Sequence, residues 1–222
     1  MAATRPNCRA HGPAFAGELG VIVDQGMRDM LVDQKDVFYY ITMMNENYAQ
    51  PTLPEEAAAD VIRGCYHFKS CLRTSDKGQS PERLKNITLL GSGAILTEVI
   101  KAAEQLADQG FEVDVFSVTS WSELARQGMA NADTQPGTPS FLATQLAQSS
   151  GPIIAATDYV RGFADQIRAF VPGHYTVLGT DGFGRSDTRE NLRRFFEVDR
   201  YHVAHAAVAA LAAEGKLTAK DV

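Results

Sequence analysis

Apolar and polar positions alternate regularly over residues 86–222. Short apolar runs predict strands at 87–90, Glu112–Val118, Ile153–Ala156 and Tyr175–Leu178. Between and after them, apolar residues recur at helical spacing over 94–109, 120–126, 140–148, 159–170 and onward to about residue 214, with a loop at 128–139. Strands that alternate with helices in this way are typical of an α/β fold with a doubly wound, mostly parallel sheet.

The front of the chain contains fewer elements. Its pattern predicts a helix at 15–32, a strand at 37–43 (VFYYITM) and a short helix at 57–63. One helix–strand–helix piece is too small to close a sheet of its own. Residues 70–85 (SCLRTSDKGQSPERLK) lack an apolar period and predict a linker. We therefore predict a partial α/β segment at 1–80, the end of the linker at 81–85 and a complete domain at 86–222.

Composition narrows the class of protein. The 222 residues are 45% hydrophobic and 22% charged, which is typical of a globular protein. A net charge of −6 gives no electrostatic reason to expect a nucleic-acid partner. No apolar run approaches the ~20 residues that cross a bilayer, and the start (MAATRPNCRAHG) lacks the apolar core of a secretory signal. We expect a cytoplasmic protein without a membrane partner.

The cysteines do not suggest a metal site. Cys8, Cys65 and Cys71 are an odd number at unrelated spacings, which favours reduced thiols. His67 lies between the last two, but the spacing C-x-H-x3-C fits no common zinc pattern well. We predict no metal ligands in this chain.

Two glycine-containing turns are candidate anion sites. Gly91-Ser92-Gly93 lies between a predicted strand and helix, where backbone N–H groups can hold an anion. A dinucleotide fingerprint would need a glycine at Leu96, so a tight strand–helix turn is the favoured interpretation.

The second turn begins the arginine-rich stretch LGTDGFGRSDTRENLRRFFEVD (178–199). Its Asp181-Gly182 pair looks like part of the metal-binding Gly-Asp-Gly of thiamine diphosphate enzymes, but no asparagine follows 25–30 residues later. We expect Asp181 to accept turn amides, and Ser186 or Asp187 to cap the next helix. Over both turns, the candidates for an anion site or a contact between domains or subunits are Gly91, Ser92, Gly93, Asp181, Gly182, Arg185, Ser186, Asp187 and Arg189.

The loop Asn45-Glu46-Asn47 follows a predicted strand, where open α/β sheets place their sites. These three residues are weak candidates for cofactor binding, and a loop bonded to itself is an equal alternative. No nucleophile–base pair is legible in the sequence, so we name no catalytic residue.

Several strings, in one order along the chain, resemble the homodimeric pyruvate dehydrogenase decarboxylating component of bacteria. They are YYIT to NENY (39–48), LGSG (90–93), ATDY (156–159) and, most closely, 178–199. The resemblance runs from Pro6 onward and departs from the family at HGPAFAG (11–17) and in a shorter loop at 128–139. It implies a transketolase-like enzyme of three α/β domains, of which this chain matches the end of the second, pyrimidine-binding domain and the whole third domain.

The resemblance also implies an activity: decarboxylation of pyruvate or a similar 2-oxo acid on thiamine diphosphate with Mg²⁺, and transfer of the acetyl group to a lipoyl carrier. The family's metal motif, activating glutamate and substrate-binding histidines have no counterpart here, so we expect the chain alone to be inactive and to bind no cofactor. Its expected partners are a second copy, associating through residues 15–62, the upstream part of the enzyme and the lipoyl acyltransferase component. The alternative is a free-standing, non-catalytic α/β module that binds a small anion or a protein.

Overall fold

The computed structural model describes residues 4–72 and 86–217, which build two sheets. The first pairs strand β1 (Cys8–His11) with strand β2 (Phe38–Ile41) in parallel, with Cys8 opposite Phe38. The second has five strands in the order β3-β5-β4-β6-β7, all parallel except β3, which is antiparallel to β5. Its strands are β3 (Cys65–Cys71), β4 (Asn86–Gly91), β5 (Glu112–Val118), β6 (Ile153–Ala156) and β7 (Tyr175–Leu178).

The helices connect and cover these strands. Helix α1 continues into a π-helical turn at Arg28–Val32. The α-helices are α1 (Ala16–Met27), α2 (Ala58–Arg63), α3 (Leu96–Asp108), α4 (Trp121–Thr134), α5 (Phe141–Gln145), α6 (Arg161–Asp165), α7 (Arg189–Phe195) and α8 (Arg200–Ala213). Short 3₁₀ turns occupy Glu55–Ala57, Gly93–Ile95 and Arg168–Phe170. No helix in the described ranges is both long enough and apolar enough to cross a membrane.

The five-stranded sheet is buried on both faces. Leu89 and Ile154 pack with helices α3 and α8 on one side. Leu90 and Ile153, their neighbours along the same strands, pack with α4, α5 and α6 on the other side. Burial of both faces explains why the strands read as continuous apolar runs. The predicted α/β fold with a doubly wound, mostly parallel sheet is confirmed.

Several predicted boundaries were wrong. Strand β3 extends to Cys71, which lies inside the segment assigned to the linker. The sequence did not indicate this strand because an edge strand with one exposed face does not need a continuous apolar run. Helix α4 continues to Thr134 through residues predicted as loop, and its Gly128 lies against the ring of Phe170. The predicted helix 159–170 is interrupted after Asp165. Residues 73–85, the rest of the predicted linker, lie outside the described residues, and the division of the chain into domains stays a prediction.

Hydrogen bonds from backbone and side-chain groups connect the two sheets. The N–H of Gly12, just after β1, donates to the carbonyl of Thr119 at 2.8 Å, and the N–H of Gly93 donates to the carbonyl of Gly12 at 3.1 Å. The hydroxyl of Ser120 and the guanidinium of Arg126 donate to carbonyls of β1 at 2.6 Å each. The end of β1 is therefore held against the carboxyl ends of β4 and β5.

Candidate functional site

A cavity of about 630 Å³ lies where the two sheets meet. It is bordered by the residues that follow β1, β4 and β5, which is where open α/β sheets place their ligands. Its wall combines aromatic rings with a small number of polar groups. The lining includes Ala10, His11, Gly12, Phe38, Tyr40, Ser92, Thr119, Ser120, Trp121, Tyr159 and Phe163.

His11 is the most unusual polar residue of this wall. It is 4% exposed, and its Nδ1 has no hydrogen-bond partner among the described residues. Burial, assisted by the positive charge of Arg9, lowers the pKa of His11 to about 4. The imidazole is therefore neutral at pH 7, and its ring stacks on that of Tyr39 at 5.7 Å.

Other polar groups of the wall have hydrogen-bond partners within the protein. The Ser92 hydroxyl lies 2.8 Å from that of Thr157 and accepts from the indole N–H of Trp121 at 3.1 Å. The Tyr159 hydroxyl bonds that of Thr42. These contacts organise the wall but bring no base to a nucleophile, so they supply no catalytic pair.

The turn at 91–93 has the geometry of a tight strand–helix connection. A Cβ on Gly91 would lie 2.9 Å from the Cα of Leu96, so only glycine lets helix α3 start this close. Gly93 has a φ of 53°, and its N–H is already bound to the Gly12 carbonyl. The turn offers one fewer amide to an anion than its sequence suggests.

The loop after β2 contacts the arginine-rich helix instead of a cavity. The Arg189 guanidinium donates to Asn45 Oδ1 at 2.6 Å and to its carbonyl at 3.2 Å. Glu46 pairs with Arg193 and lies 3.7 Å from the Nε of Arg189. Asn47 is exposed. The structure thus brings two of the three loop candidates to Arg189.

Glu46 is the first member of a chain of alternating charges. Arg193, which is largely buried, lies between Glu46 and Glu98, with 3.4 Å between its Nη1 and Glu98 Oε1. Glu98 in turn accepts from the Nε of Arg200 at 2.8 Å. Burial alone would raise the pKa of Glu98, but hydrogen bonds from Arg200 and the charge of Arg193 hold it below its usual value. This series of alternating charges joins the loop after β2 to helices α7, α3 and α8.

Asp181 was expected to accept amides of its own turn after β7, but the structure joins it to the start of α6 instead. Its carboxylate accepts the backbone N–H of Arg161 at 2.9 Å and the Nε of the same residue at 2.7 Å. Gly182 has a φ of 83°, a conformation that favours glycine, and Arg185 lies 5.2 Å above the ring of Phe195. The Asp181 carboxylate is therefore engaged by a guanidinium and an amide at the start of α6.

The predicted cap of α7 was wrong by one or two residues. Thr188, and neither Ser186 nor Asp187, is the N-cap, and its side chain accepts the N–H of Asn191 at 3.3 Å. Asp187 accepts from the N–H of Thr188 and the side chain of Asn191. Ser186 is exposed. Ser186, Asp187 and Thr188 can all cap a helix, and the sequence alone does not show which of them does so.

The described residues do not fit a diphosphate with its metal. They contain no cluster of His, Cys, Asp or Glu able to hold a metal ion. Asp181, the residue closest to a metal-binding motif, is paired with Arg161. Cys65 and Cys71 lie at opposite ends of β3, about 20 Å apart at the usual rise of a strand, so they cannot share an ion.

Sequence reasoning missed a buried carboxylate, Glu18, in the first turn of α1. Its Oε2 accepts the N–H groups of Ala14 (2.6 Å) and Phe15 (3.1 Å). Its Oε1 accepts the hydroxyls of Tyr66 (2.8 Å) and Ser117 (2.6 Å). Glu18 is thus a capping residue that also joins α1 to β3 and β5. Its place at the third position of the helix, where a glutamate side chain can reach back to the N-terminal N–H groups, was the sequence signal that could have identified it.

Two protein-family models match different parts of the chain. Residues 74–199 match the transketolase-like C-terminal domain, and residues 1–51 match the middle domain of the pyruvate dehydrogenase E1 component. The chain is 49% identical over 219 residues to the pyruvate dehydrogenase E1 component of Cupriavidus necator, covering 96% of this chain and 24% of that protein. It is 44% identical over 226 residues to the Escherichia coli K12 protein, covering 99% of this chain and 24% of that protein. The chain therefore spans about a quarter of the length of these curated relatives.

Solved structures support the fold. A transketolase from Leishmania mexicana superposes with a TM-score of 0.59 at 14% identity, over 96% of this chain and 26% of the transketolase. A structure described as a split gene transketolase, inactive beta4 tetramer, gives 0.61 at 13% identity, over 95% of this chain and 60% of the other. These likenesses confirm the predicted transketolase C-terminal type of fold, and the sequence relatives confirm the resemblance noted above.

Proposed function

The chain belongs to the pyruvate dehydrogenase E1 component family, and we propose that it acts as the C-terminal part of a thiamine diphosphate-dependent decarboxylating component. In that role it contributes the third domain and its dimer surface to an enzyme that decarboxylates pyruvate in the cytoplasm. The acetyl group then passes to the lipoyl carrier of the acyltransferase component. On its own the chain is inactive, as a fragment or as one subunit of a split enzyme.

The observation that carries this proposal is the match to the C-terminal region of the E1 component along almost the whole chain. The geometry supports the same role. Among the described residues the front sheet has two strands, and two strands do not form a stable sheet by themselves. Phe38 and Tyr40 on one of its faces remain about half exposed at the cavity. An upstream polypeptide that adds strands and covers this face would complete the sheet.

Thiamine diphosphate, held with Mg²⁺ by the upstream part, supplies the chemistry of decarboxylation. The residues of this chain help to hold the parts of the enzyme in position. The alternating charges from Glu46 to Arg200 hold the front loop against the C-terminal domain. We propose that Asn45, Glu46 and Arg189 serve this interdomain contact and not cofactor binding.

Complementation tests the proposal. The purified chain is mixed with a separately expressed polypeptide containing the Cupriavidus necator sequence upstream of the matched region. Pyruvate-dependent reduction of an artificial electron acceptor is measured with thiamine diphosphate and Mg²⁺, and acetylation of an isolated lipoyl domain is followed by mass spectrometry. We expect activity from the mixture and none from either part alone. Calorimetric titration of this chain alone with thiamine diphosphate and Mg²⁺ should show no binding.

The outcomes separate the possible roles. Binding of thiamine diphosphate by the chain alone would show that the cofactor site was misplaced. Formation of a complex without activity would reduce the role to architecture. Failure to associate with the upstream part would favour a free-standing module that binds an anion or a protein.

A further inference from the structure

The cavity between the two sheets has the size and the wall of a small-molecule site. Its volume of about 630 Å³ lies within the range of about 300–1,000 Å³ that is usual for such sites. Five aromatic residues contribute to the wall, and they are Phe38, Tyr40, Trp121, Tyr159 and Phe163. A molecule that fills this cavity therefore needs an apolar body, which leaves water when it enters.

The charged groups of the wall are few and of one sign. Arg5 borders the cavity, is exposed, and has a guanidinium that forms no hydrogen bond or ion pair with any residue that the structure describes. His11 is neutral at pH 7, because burial lowers its pKa to about 4. Among the described residues, the wall contains no aspartate or glutamate. The formal charge of the cavity wall is therefore a single positive charge.

The start of helix α4 adds to this positive potential. Its N-cap Ser120 and its first residue Trp121 both border the cavity, so the positive end of the helix dipole lies there. Glu123 follows in the first turn of the same helix, but Arg9 and Arg126 both pair with it. An anionic group is therefore favoured at this cavity, and a cationic group is disfavoured.

We propose that the cavity binds an apolar monocarboxylate, with its hydrocarbon body against the aromatic wall and its carboxylate on Arg5. A guanidinium can donate two parallel N–H groups to one carboxylate. A dicarboxylate or a diphosphate would bring charges that find no partner in this wall. Pyruvate lacks an apolar body, so the ligand is a different molecule from the substrate of the proposed reaction. The inference concerns the chain alone and does not rest on the proposed function.

Trp121 makes binding directly observable, because it is the single tryptophan of the chain and is 2% exposed in the cavity wall. Decanoate is titrated at pH 7, below its micelle concentration, by fluorescence and by calorimetry. We expect one molecule to bind, at least about a hundredfold more tightly than butanoate, because its longer chain removes more CH₂ groups from water. A decanoate brominated at its terminal carbon should quench the Trp121 emission, since bromine quenches an indole that it contacts.

Variants of Arg5 test the position of the carboxylate. Arg5→Gln should weaken decanoate about five- to tenfold but leave the Kd of decanol within about twofold, because an alcohol has no charge to pair. Arg5→Lys should restore most of the loss. Arg28→Gln is the matched control, because Arg28 is exposed on α1 and does not border the cavity, and both Kd values should stay unchanged. Decylamine, which is cationic, should bind at least about tenfold more weakly than decanoate.

Three results with the chain alone would overturn the proposal. They are the lack of saturable one-to-one binding, binding of the brominated probe without quenching, and an equal effect of Arg5→Gln on decanoate and decanol.

Addition of the upstream polypeptide separates this inference from the proposed function. Decanoate binding that persists in a mixture with pyruvate-dependent activity would support both. Loss of binding as activity appears would show that the upstream part fills the cavity, which would overturn this inference and leave the proposed function intact. A mixture without activity would count against the proposed function, while binding of decanoate at Arg5 would still support the inference.

Discussion

Replacement of Glu18 offers the sharpest test of how helix α1 is held against the five-stranded sheet. Its two carboxylate oxygens accept four donors, and these donors are of two kinds. The N–H groups of Ala14 and Phe15 can only donate. The hydroxyls of Tyr66 and Ser117 can also accept. Glu18→Ala and Glu18→Gln should therefore have very different effects.

The magnitudes follow from this difference. Glu18→Ala leaves two buried backbone N–H groups without an acceptor, at about 1–3 kcal/mol each, so the free energy of unfolding should fall by about 4 kcal/mol. Glu18→Gln keeps an oxygen for the two N–H groups and turns its NH₂ toward the hydroxyls, which can accept. Its loss should be about 1 kcal/mol.

Urea unfolding followed by circular dichroism measures both losses, with an unchanged dependence on urea as the sign of a common unfolded state. The melting temperature should fall by about 8–16 °C for Glu18→Ala, at about 2–4 °C per kcal/mol for a chain of this size. Glu190→Ala, at an exposed glutamate on α7, is the control and should stay within about 0.5 kcal/mol. Equal losses for Gln and Ala would refute the reasoning, because they would assign the effect to the negative charge and not to the number of acceptors.

Three further predictions concern pH, the charge chain and packing. Because the folded state holds His11 neutral with a pKa of about 4, against 6.5 when unfolded, stability should fall by about 2 kcal/mol from pH 7.5 to pH 5, and His11→Phe should flatten the thermal stability profile in that window. Arg193→Met, which removes the guanidinium shared by two carboxylates, should cost about 3 kcal/mol in urea unfolding, and Arg193→Lys should recover only part of it; a loss below about 1 kcal/mol would contradict the buried chain of charges. A Cβ on Gly151 would lie 1.7 Å from a backbone oxygen, so Gly151→Ala should lower the melting temperature sharply, whereas Gly162→Ala, in open space on α6, should not lower it.

The sequence predicted the second sheet well because its central strands are buried on both faces. An apolar run such as Ile153–Ala156 carries this signal locally. Strand β3 lies at the edge and mixes Lys69 and Ser70 with apolar residues, so it reads as the start of a polar linker. Helix α4 was predicted too short, because its second half is polar and Gly128 suggests a break. The tertiary contact of that glycine with Phe170 cannot be read from the local pattern.

The candidate site was predictable only in part. Arg189 was named as a candidate for an anion site or a contact between domains or subunits, and the structure shows it bonded to Asn45, which is 144 positions away in sequence. Glu98 and Arg200 were missed because each resembles an ordinary charged residue in the first turn of a helix. Their pairing depends on α3 and α8 lying side by side on one face of the sheet. Spacing within a segment carries no information on such contacts.

Strand β3 also sets an order for events during synthesis of the chain. Cys65 pairs with Val118 and Cys71 with Val113, so the strand has no partner until roughly 40 to 50 more residues have been made. At about 5–20 residues per second, that interval lasts on the order of 2–10 s. Until then β3 is unpaired, and an unpaired strand can pair with a strand of another chain and cause aggregation. Completion of β5 ends this interval and is followed at once by Thr119 and Ser120, whose bonds hold the end of β1. A chain that is truncated before Val113 therefore has neither a complete second sheet nor a fixed first one.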